Sequence, residues 1–324
     1  MTPPRQIIPG QTLFVTCRAV GRSFRFVPTP KVVETLRFCF FYTASKFNVS
    51  IHEFVWMSNH SHVMMTMADA RLPDFMQELN SLCSRALNAL RGWSGSNFEK
   101  GYNITVELDD DAILRHCAYT VANPCAADLV TRARHWKGLT SVSLEYGQEI
   151  VVKRPRYGLW TPSRSPGKVQ RKRKKDANRA SYAGRSLIPT QVAFSLTRPP
   201  LARVQMSDRE VRAEVRSRVA ELEATAEAAR VKVGRRVLGM RRVREQPWFG
   251  IPQKREDMFG PKPKASGRNK WARVEAARRS VVFKAAYVAA RDAWIGGDRE
   301  AVFPFGTWLM LRRFAVRCAA SPPV

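Results

Sequence analysis

The stretch that decides the fold is Trp56-Met57-Ser58-Asn59-His60-Ser61-His62-Val63-Met64-Met65. It has the pattern of a strand end, a short polar turn and the start of a second strand. Side chains at positions i and i+2 of a strand point to the same face. His60 and His62 are therefore predicted to lie side by side, where one metal ion could contact both. Two histidines can also have this spacing in an ordinary half-buried strand. The pair alone therefore does not indicate a metal site, and other features of the chain have to support it.

Charge is the strongest compositional signal. The chain has 324 residues, with 55 Lys and Arg against 27 Asp and Glu, and a formal net charge of +28. A field of this sign attracts polyanions, so we expect contact with nucleic acid. The six cysteines include no CxxC pair, which favours reduced core thiols over a disulfide framework or a zinc site. No apolar run approaches the roughly 18 residues of a membrane span, and we expect a cytoplasmic, DNA-associated protein with no membrane partner.

Local patterns predict four strands and three helices in residues 1–150. The strands, each rich in β-forming residues, are predicted at 12–18, 50–56, 60–67 and 103–108. The helices, with apolar residues at helical spacing, are predicted at 30–47, 73–93 and 109–122. This order predicts an α+β fold in which an antiparallel sheet carries helices on one face.

The third predicted helix carries a second functional candidate. Its apolar stripe consists of Ile113, Leu114, Cys117, Ala118 and Val121. Tyr119 lies off this stripe, and Asn123 follows four residues later, so the two can share a helical face. Pro124 is predicted to end the helix, because the residue before a proline avoids helical angles. Asn123 could instead be only a cap of the helix end. His116, one turn before Tyr119, is expected to be a surface residue, with contact to the site as the alternative.

The second half of the chain is more basic. Residues 151–200 are predicted to be a basic linker or arm, and 201–324 a small helical domain that contacts DNA. Within the arm, the candidate phosphate-binding residues are Arg171, Lys172, Arg173, Lys174 and Lys175. Such a run can also be merely solvated. A capping box at Ser207–Glu210 predicts the start of one helix, and a second is predicted from about Asn269 to Ile295.

A histidine pair and a tyrosine that lies off the buried stripe of its helix together suit phosphoryl transfer on DNA. Two neutral imidazoles and an amide oxygen are suitable ligands for a divalent ion. Such an ion polarises the phosphate that is cut. A tyrosine hydroxyl can then attack and form a phosphotyrosine bond. Because that bond is again a phosphoester, the step can run backwards and rejoin strands.

The sequence resembles the REP-associated tyrosine transposases, within the HUH single-tyrosine transposase superfamily. The resemblance covers roughly residues 8–150. Its motifs are Pro9-Gly10, Met57-Ser-Asn-His-Ser-His62, Leu72-Pro-Asp-Phe75, Ala118-Tyr-Thr-Val-Ala-Asn-Pro124 and Trp136-Lys-Gly-Leu-Thr-Ser141. The combination of MSNHxH with YxxxNP is far more specific than either piece alone.

The resemblance implies a ferredoxin-like HUH fold and a transposase acting on hairpin-forming, single-stranded DNA. It implies a Mg²⁺ or Mn²⁺ ion on His60 and His62, with Asn123 as a third ligand. Tyr119 would be the nucleophile and would form a 5′-phosphotyrosine. The oligomeric state, monomer or dimer, stays open.

Two departures from the family pattern leave an alternative. Ser61 replaces a bulky hydrophobic residue between the histidines, and Asp128 replaces a glycine where a positive-φ turn is expected. Neither removes a catalytic group. The alternative is a catalytically decayed DNA-binding protein of the same fold. A basic RNA-binding protein would explain the charge but not the pairing of the histidines with the tyrosine.

Overall fold

The computed structural model describes residues 4–160, 188–202, 205–252 and 264–320. A five-stranded sheet has the order β2-β3-β1-β4-β7. Its strands are β1 Thr12–Arg18, β2 Val49–Trp56, β3 His60–Met67, β4 Asn103–Glu107 and β7 Ala265–Ser266. A separate two-stranded sheet consists of β5 Glu149–Lys153 and β6 Gln191–Ser195. The helices of four residues or more are α1 Pro30–Lys46, α2 Leu72–Arg91, α3 Asp110–Ala126, α4 Asp208–Lys232, α5 Met240–Glu245, α6 Lys270–Ile295 and α7 Leu309–Phe314.

The topology confirms the predicted α+β class. Strand β1 is antiparallel to both β3 and β4, and β2 is antiparallel to β3. The chain order from β1 to β4 is strand, helix, strand, strand, helix, strand, which is the ferredoxin-like arrangement. Strand β7 extends this sheet by pairing in parallel with β4.

Helices cover both faces of the sheet, whereas the sequence predicted helices on one. The register pairs Phe14 with Met64, so the two share a face, and Phe14 contacts His116 of α3 on that face. On the opposite face, Phe40 of α1 packs against Trp56. The physical reason is that alternate positions are apolar on both faces, and an apolar face has to be covered.

Helix α3 continues through Pro124, so the predicted end at this residue is wrong. The helix runs to Ala126, and its C-cap is Ala127. A proline inside a helix costs a hydrogen bond but is tolerated where surrounding contacts compensate. Here the side chain of Arg230, on α4, donates to the Cys125 carbonyl at 3.1 Å. This contact holds the turn that follows the proline.

Helix α4 begins at the predicted capping box, in which Ser207 and Glu210 bond to each other's backbone. It packs along α3, and its buried valines belong to the same hydrophobic core as the first 150 residues. They are Val211, Val215 and Val219. The core therefore extends past residue 150. The divisions 1–150, 151–200 and 201–324 stay predictions.

A second, smaller hydrophobic cluster joins α6 to the end of the chain. It includes Phe283 and Tyr287 of α6, Phe303 and Met310. Helix α6 begins after Asn269, whose side chain caps it, and ends at Ile295, as predicted. All six cysteines are free and five are buried, as expected of reduced core thiols. Within the described part of the chain, no helix has the length and apolar character to cross a membrane.

Candidate active site

Strand β3 places the two histidines side by side, as the i, i+2 spacing predicted. Their ring centroids are 4.8 Å apart, with the rings nearly perpendicular at 76°. His60 Nδ1 lies 2.7 Å from Asn59 Oδ1, and His62 Nδ1 lies 3.0 Å from Thr16 Oγ1. The Asn59 amide oxygen can accept from His60 Nδ1, and the Thr16 hydroxyl can accept from His62 Nδ1. In the tautomer that makes both of these bonds, each ring keeps the lone pair on Nε2, the arrangement found in metal-binding histidines.

His62 is held in its neutral form. Burial lowers the pKa of this imidazole well below its ordinary value, and the positive charges of His60, His116 and Arg18 lower it further. A metal ligand needs the neutral imidazole. The environment of His62 therefore favours the form that can bind an ion.

Tyr119 lies against His62, one member of the histidine pair. Its ring meets the ring of His62 edge-on, with centroids 5.6 Å apart. Tyr119 comes from α3 and His62 from β3, so the fold brings together two groups that are 57 positions apart in the sequence. The side chain lies off the buried stripe of its helix, as predicted, and is 38% exposed. A substrate can thus approach it from solvent.

A ring stack behind these residues was not predicted. Phe14 lies between His62 and His116, parallel to both, with centroid distances of 5.0 and 4.6 Å. Tyr119 meets Phe14 edge-on at 5.9 Å. His116 lies 2.8 Å from the buried Glu107 and its ring meets Tyr119 edge-on at 6.4 Å, so this partly exposed residue touches the site, as the alternative interpretation allowed. The stack fixes the plane of His62 and supports the tyrosine ring.

Asn123 lies inside α3 and is buried. The helix continues for three residues after it and is capped by Ala127, so Asn123 is not the cap of the helix end. Tyr119 precedes it by four residues and contacts His62, while Ala127 follows by four and lines a cleft together with His60. Asn123 therefore lies on the helical line between two positions that border the histidines. Its role as a ligand stays a prediction.

The donor set fits a divalent ion that accepts both nitrogen and oxygen. Among the described residues, no group of three or more His, Cys, Asp or Glu side chains could hold a metal ion. A bound ion would need His60, His62 and the Asn123 amide oxygen, with further oxygens from water or a phosphate. Imidazoles favour transition metals over Mg²⁺, so of the two expected ions Mn²⁺ suits this set better.

A cleft of about 520 Å³ adjoins His60. Arg18 and Arg22 line it, and Arg18 is the β1 partner of His60 in the sheet register. Two arginines beside His60 make this cleft suitable for a phosphate backbone. The predicted phosphate-binding run, Arg171, Lys172, Arg173, Lys174 and Lys175, lies outside the described residues.

Neither of the two departures from the family pattern replaces one of the four site residues, which are His60, His62, Tyr119 and Asn123. Ser61 is buried on the face opposite to His60 and His62, because neighbours in a strand alternate. Asp128 does adopt the expected positive φ, at 54°. Arg230 and Arg235 form ion pairs with its carboxylate at 3.5 and 3.3 Å. These contacts offset part of the backbone strain.

Comparison with known proteins adds two distant structural likenesses. No family model and no curated protein matches the sequence. The chain is similar to a REP-associated tyrosine transposase bound to a REP hairpin, with 14% identity and a TM-score of 0.38 over 64% of this chain and 99% of that one. It is also similar to a Deinococcus radiodurans protein described as a candidate transposase, with 15% identity and a TM-score of 0.26 over 32% of this chain and 84% of that one.

Proposed function

We propose that this protein is a transposase that cuts and rejoins single-stranded, hairpin-forming DNA with the help of a divalent metal ion. The observation that carries the proposal is the contact of Tyr119 with His62, which itself lies against His60. This contact places a hydroxyl-bearing side chain beside two imidazoles that can bind an ion, which is the combination that the proposed reaction needs. The basic cleft beside His60 supports a polyanionic substrate.

In this proposal each residue has a defined part. His60, His62 and Asn123 hold Mn²⁺ or Mg²⁺, which when bound polarises the scissile phosphate. The Tyr119 oxygen forms a bond to phosphorus while the bond from phosphorus to the 3′ oxygen breaks. One fragment then carries a 5′-phosphotyrosine, and the other ends in a 3′-hydroxyl. The tyrosine gives up one proton and the leaving 3′ oxygen takes up one, so the step is balanced and reversible.

The decisive experiment is to trap the covalent adduct. A hairpin oligonucleotide labelled downstream of the cut is incubated with the full chain and Mn²⁺, then run on a denaturing gel. We expect a labelled protein band with the unchanged protein and none with Tyr119→Phe, which loses only a hydroxyl. Both proteins should bind the hairpin equally well. The double variant His60→Ala/His62→Ala should also give no band, whereas His135→Ala, at an exposed histidine, should behave like the unchanged protein.

The outcomes separate the competing functions. Binding without an adduct, by the unchanged protein as well as by Tyr119→Phe, would establish the decayed DNA-binding form. An adduct that survives in Tyr119→Phe would place the nucleophile at another residue. Undiminished cleavage in excess EDTA would exclude the metal ion from the reaction.

A further inference from the structure

The segment that follows α5 exposes apolar side chains next to the cleft. Phe249 is 66% exposed and Ile251 is 58% exposed, and Ile251 lines the same cleft as His60. Exposed aromatic and aliphatic side chains at the edge of a basic cleft indicate a binding surface more than a packing surface. The proposed reaction gives this surface no part.

This segment is tied down at three points. On its N-terminal side, the Gly239 amide donates to the Leu129 carbonyl at 3.0 Å. Arg244 donates to the Pro28 carbonyl at 3.1 Å, and the Gly250 carbonyl accepts from the Phe24 amide at 2.8 Å. The backbone that presents Phe249 and Ile251 is therefore fixed against the loop that borders the cleft. Their exposure is built into the fold.

A stack of arginine and tryptophan side chains supports the segment from behind. Trp93 and Trp248 meet edge-on with centroids 5.5 Å apart, and Arg25 lies over both rings, 4.3 and 4.6 Å from their centroids. Arg91 also lies over Trp248, at 4.8 Å. Phe249 meets Trp248 edge-on at 5.7 Å. The tryptophans hold the segment in place, and Phe249 is the outermost aromatic ring.

We propose that Phe249 and Ile251 form a stacking platform for unpaired nucleotides of the DNA strand that enters the His60 cleft. This inference rests on the proposed function, because it assigns a place to the single-stranded part of that substrate. Aromatic rings stack on bases whatever their sequence, while nearby cations bind the backbone. Arg18 and Arg22 supply those cations in the same cleft. A rigid platform costs less ordering entropy on binding than a mobile one.

The test measures binding alone, in full-length Tyr119→Phe protein that is expected not to cut. Two labelled DNA hairpins are compared, one blunt and one with a short unpaired flank. Phe249→Ala should weaken binding of the flanked hairpin by about 5- to 150-fold, the range for loss of one stacked base, and leave the blunt hairpin unaffected. Trp271→Ala is the matched control, because Trp271 is an exposed aromatic residue on α6. It should change neither affinity.

An abasic flank identifies stacking as the cause. In protein that keeps Phe249, abasic sites in the flank should weaken binding as much as Phe249→Ala does. In the Phe249→Ala variant, the same abasic sites should weaken binding little further. The salt dependence of binding should stay the same in Phe249→Ala, since no phosphate contact is removed. The platform is overturned if Phe249→Ala loses the same affinity for both hairpins, or loses none for either. A preference for an RNA flank over a DNA flank would also overturn it. If Phe249→Ala weakens binding of the flanked hairpin but no Tyr119 adduct forms, the proposed cleavage fails and the stacking platform stands. If the adduct forms but Phe249→Ala does not weaken binding, the platform fails and the proposed cleavage stands.

Discussion

Replacing Arg212 with methionine should destabilise the whole protein, because it leaves a carboxylate buried without its cation. Arg212 on α4 donates to Glu53 Oε1 on β2 at 2.5 Å, and to the Ser141 and Val142 carbonyls at 2.9 and 3.1 Å. The side chains of Arg212 and Glu53 are 3% and 0% exposed. The ion pair therefore lies in the core and joins the second half of the chain to the sheet.

Breaking a buried ion pair by removing one partner costs about 3 to 5 kcal/mol. Ser141 and Tyr146 still donate to Glu53 in the variant, so we expect a loss near the lower end, about 3 kcal/mol at pH 7. Burial raises the pKa of Glu53, and removing Arg212 should raise it further. Protonation in the folded state relieves the buried charge, so the deficit should shrink as the pH falls through that raised pKa.

The assay is urea unfolding followed by tryptophan fluorescence, at pH 7 and again at pH 5. Arg216→Met is the matched control, one turn further along α4, since its ion pair with Glu145 is about half exposed and should contribute little. The double variant Glu53→Gln/Arg212→Met removes both charges and should recover most of the lost stability. If Arg212→Met loses no more than Arg216→Met at pH 7, the pair is not the buried link described here. A deficit that stays the same at both pH values would contradict the explanation based on the Glu53 charge.

Two further predictions concern acid stability and salt dependence. Burial lowers the pKa of His52 from 6.5 to about 4, so the folded state favours the neutral ring. The free energy of unfolding should therefore be highest above pH 6.5 and should decline as the pH falls towards 4. His52→Gln should reduce that decline by about 3 kcal/mol, measured by thermal or urea unfolding across this range; an unchanged decline would assign it to other groups. Replacing Arg171, Lys172, Arg173, Lys174 and Lys175 with serine should reduce the slope of log affinity against log salt by up to about 3.5, and an unchanged slope would mean that the run does not contact phosphate.

The elements with local signals could be predicted almost to the residue. Strands β1 and β3 agree with the prediction, since enrichment in β-forming residues between turn signals is a local pattern. The histidine pair follows from strand geometry alone. The capping box before α4 and the Asn269 cap of α6 are likewise set by a few neighbouring residues.

The contacts that complete the site could not be predicted, because they depend on register and tertiary packing. Phe14 stacks on His62 only because β1 pairs with β3 in the register that sets Thr16 opposite His62. Nothing in the sequence near Glu53 indicates that a residue 159 positions later will neutralise it. The same limit explains the wrong end of α3, because Arg230 holds the turn after Pro124 from another helix.

Helix α4 fixes the position of the helix that carries Tyr119, and this gives the second half of the chain a part in the proposed chemistry. Arg212 holds α4 to β2, which is the neighbour of the histidine strand. Arg230, five turns further along α4, holds the last turn of α3 and the Asp128 turn. The separation of Tyr119 from the histidines thus depends on two arginines that lie beyond residue 150. Small misplacements of reacting groups cost orders of magnitude in rate, so cutting the chain at residue 150 would impair catalysis even if residues 151–324 never touched DNA.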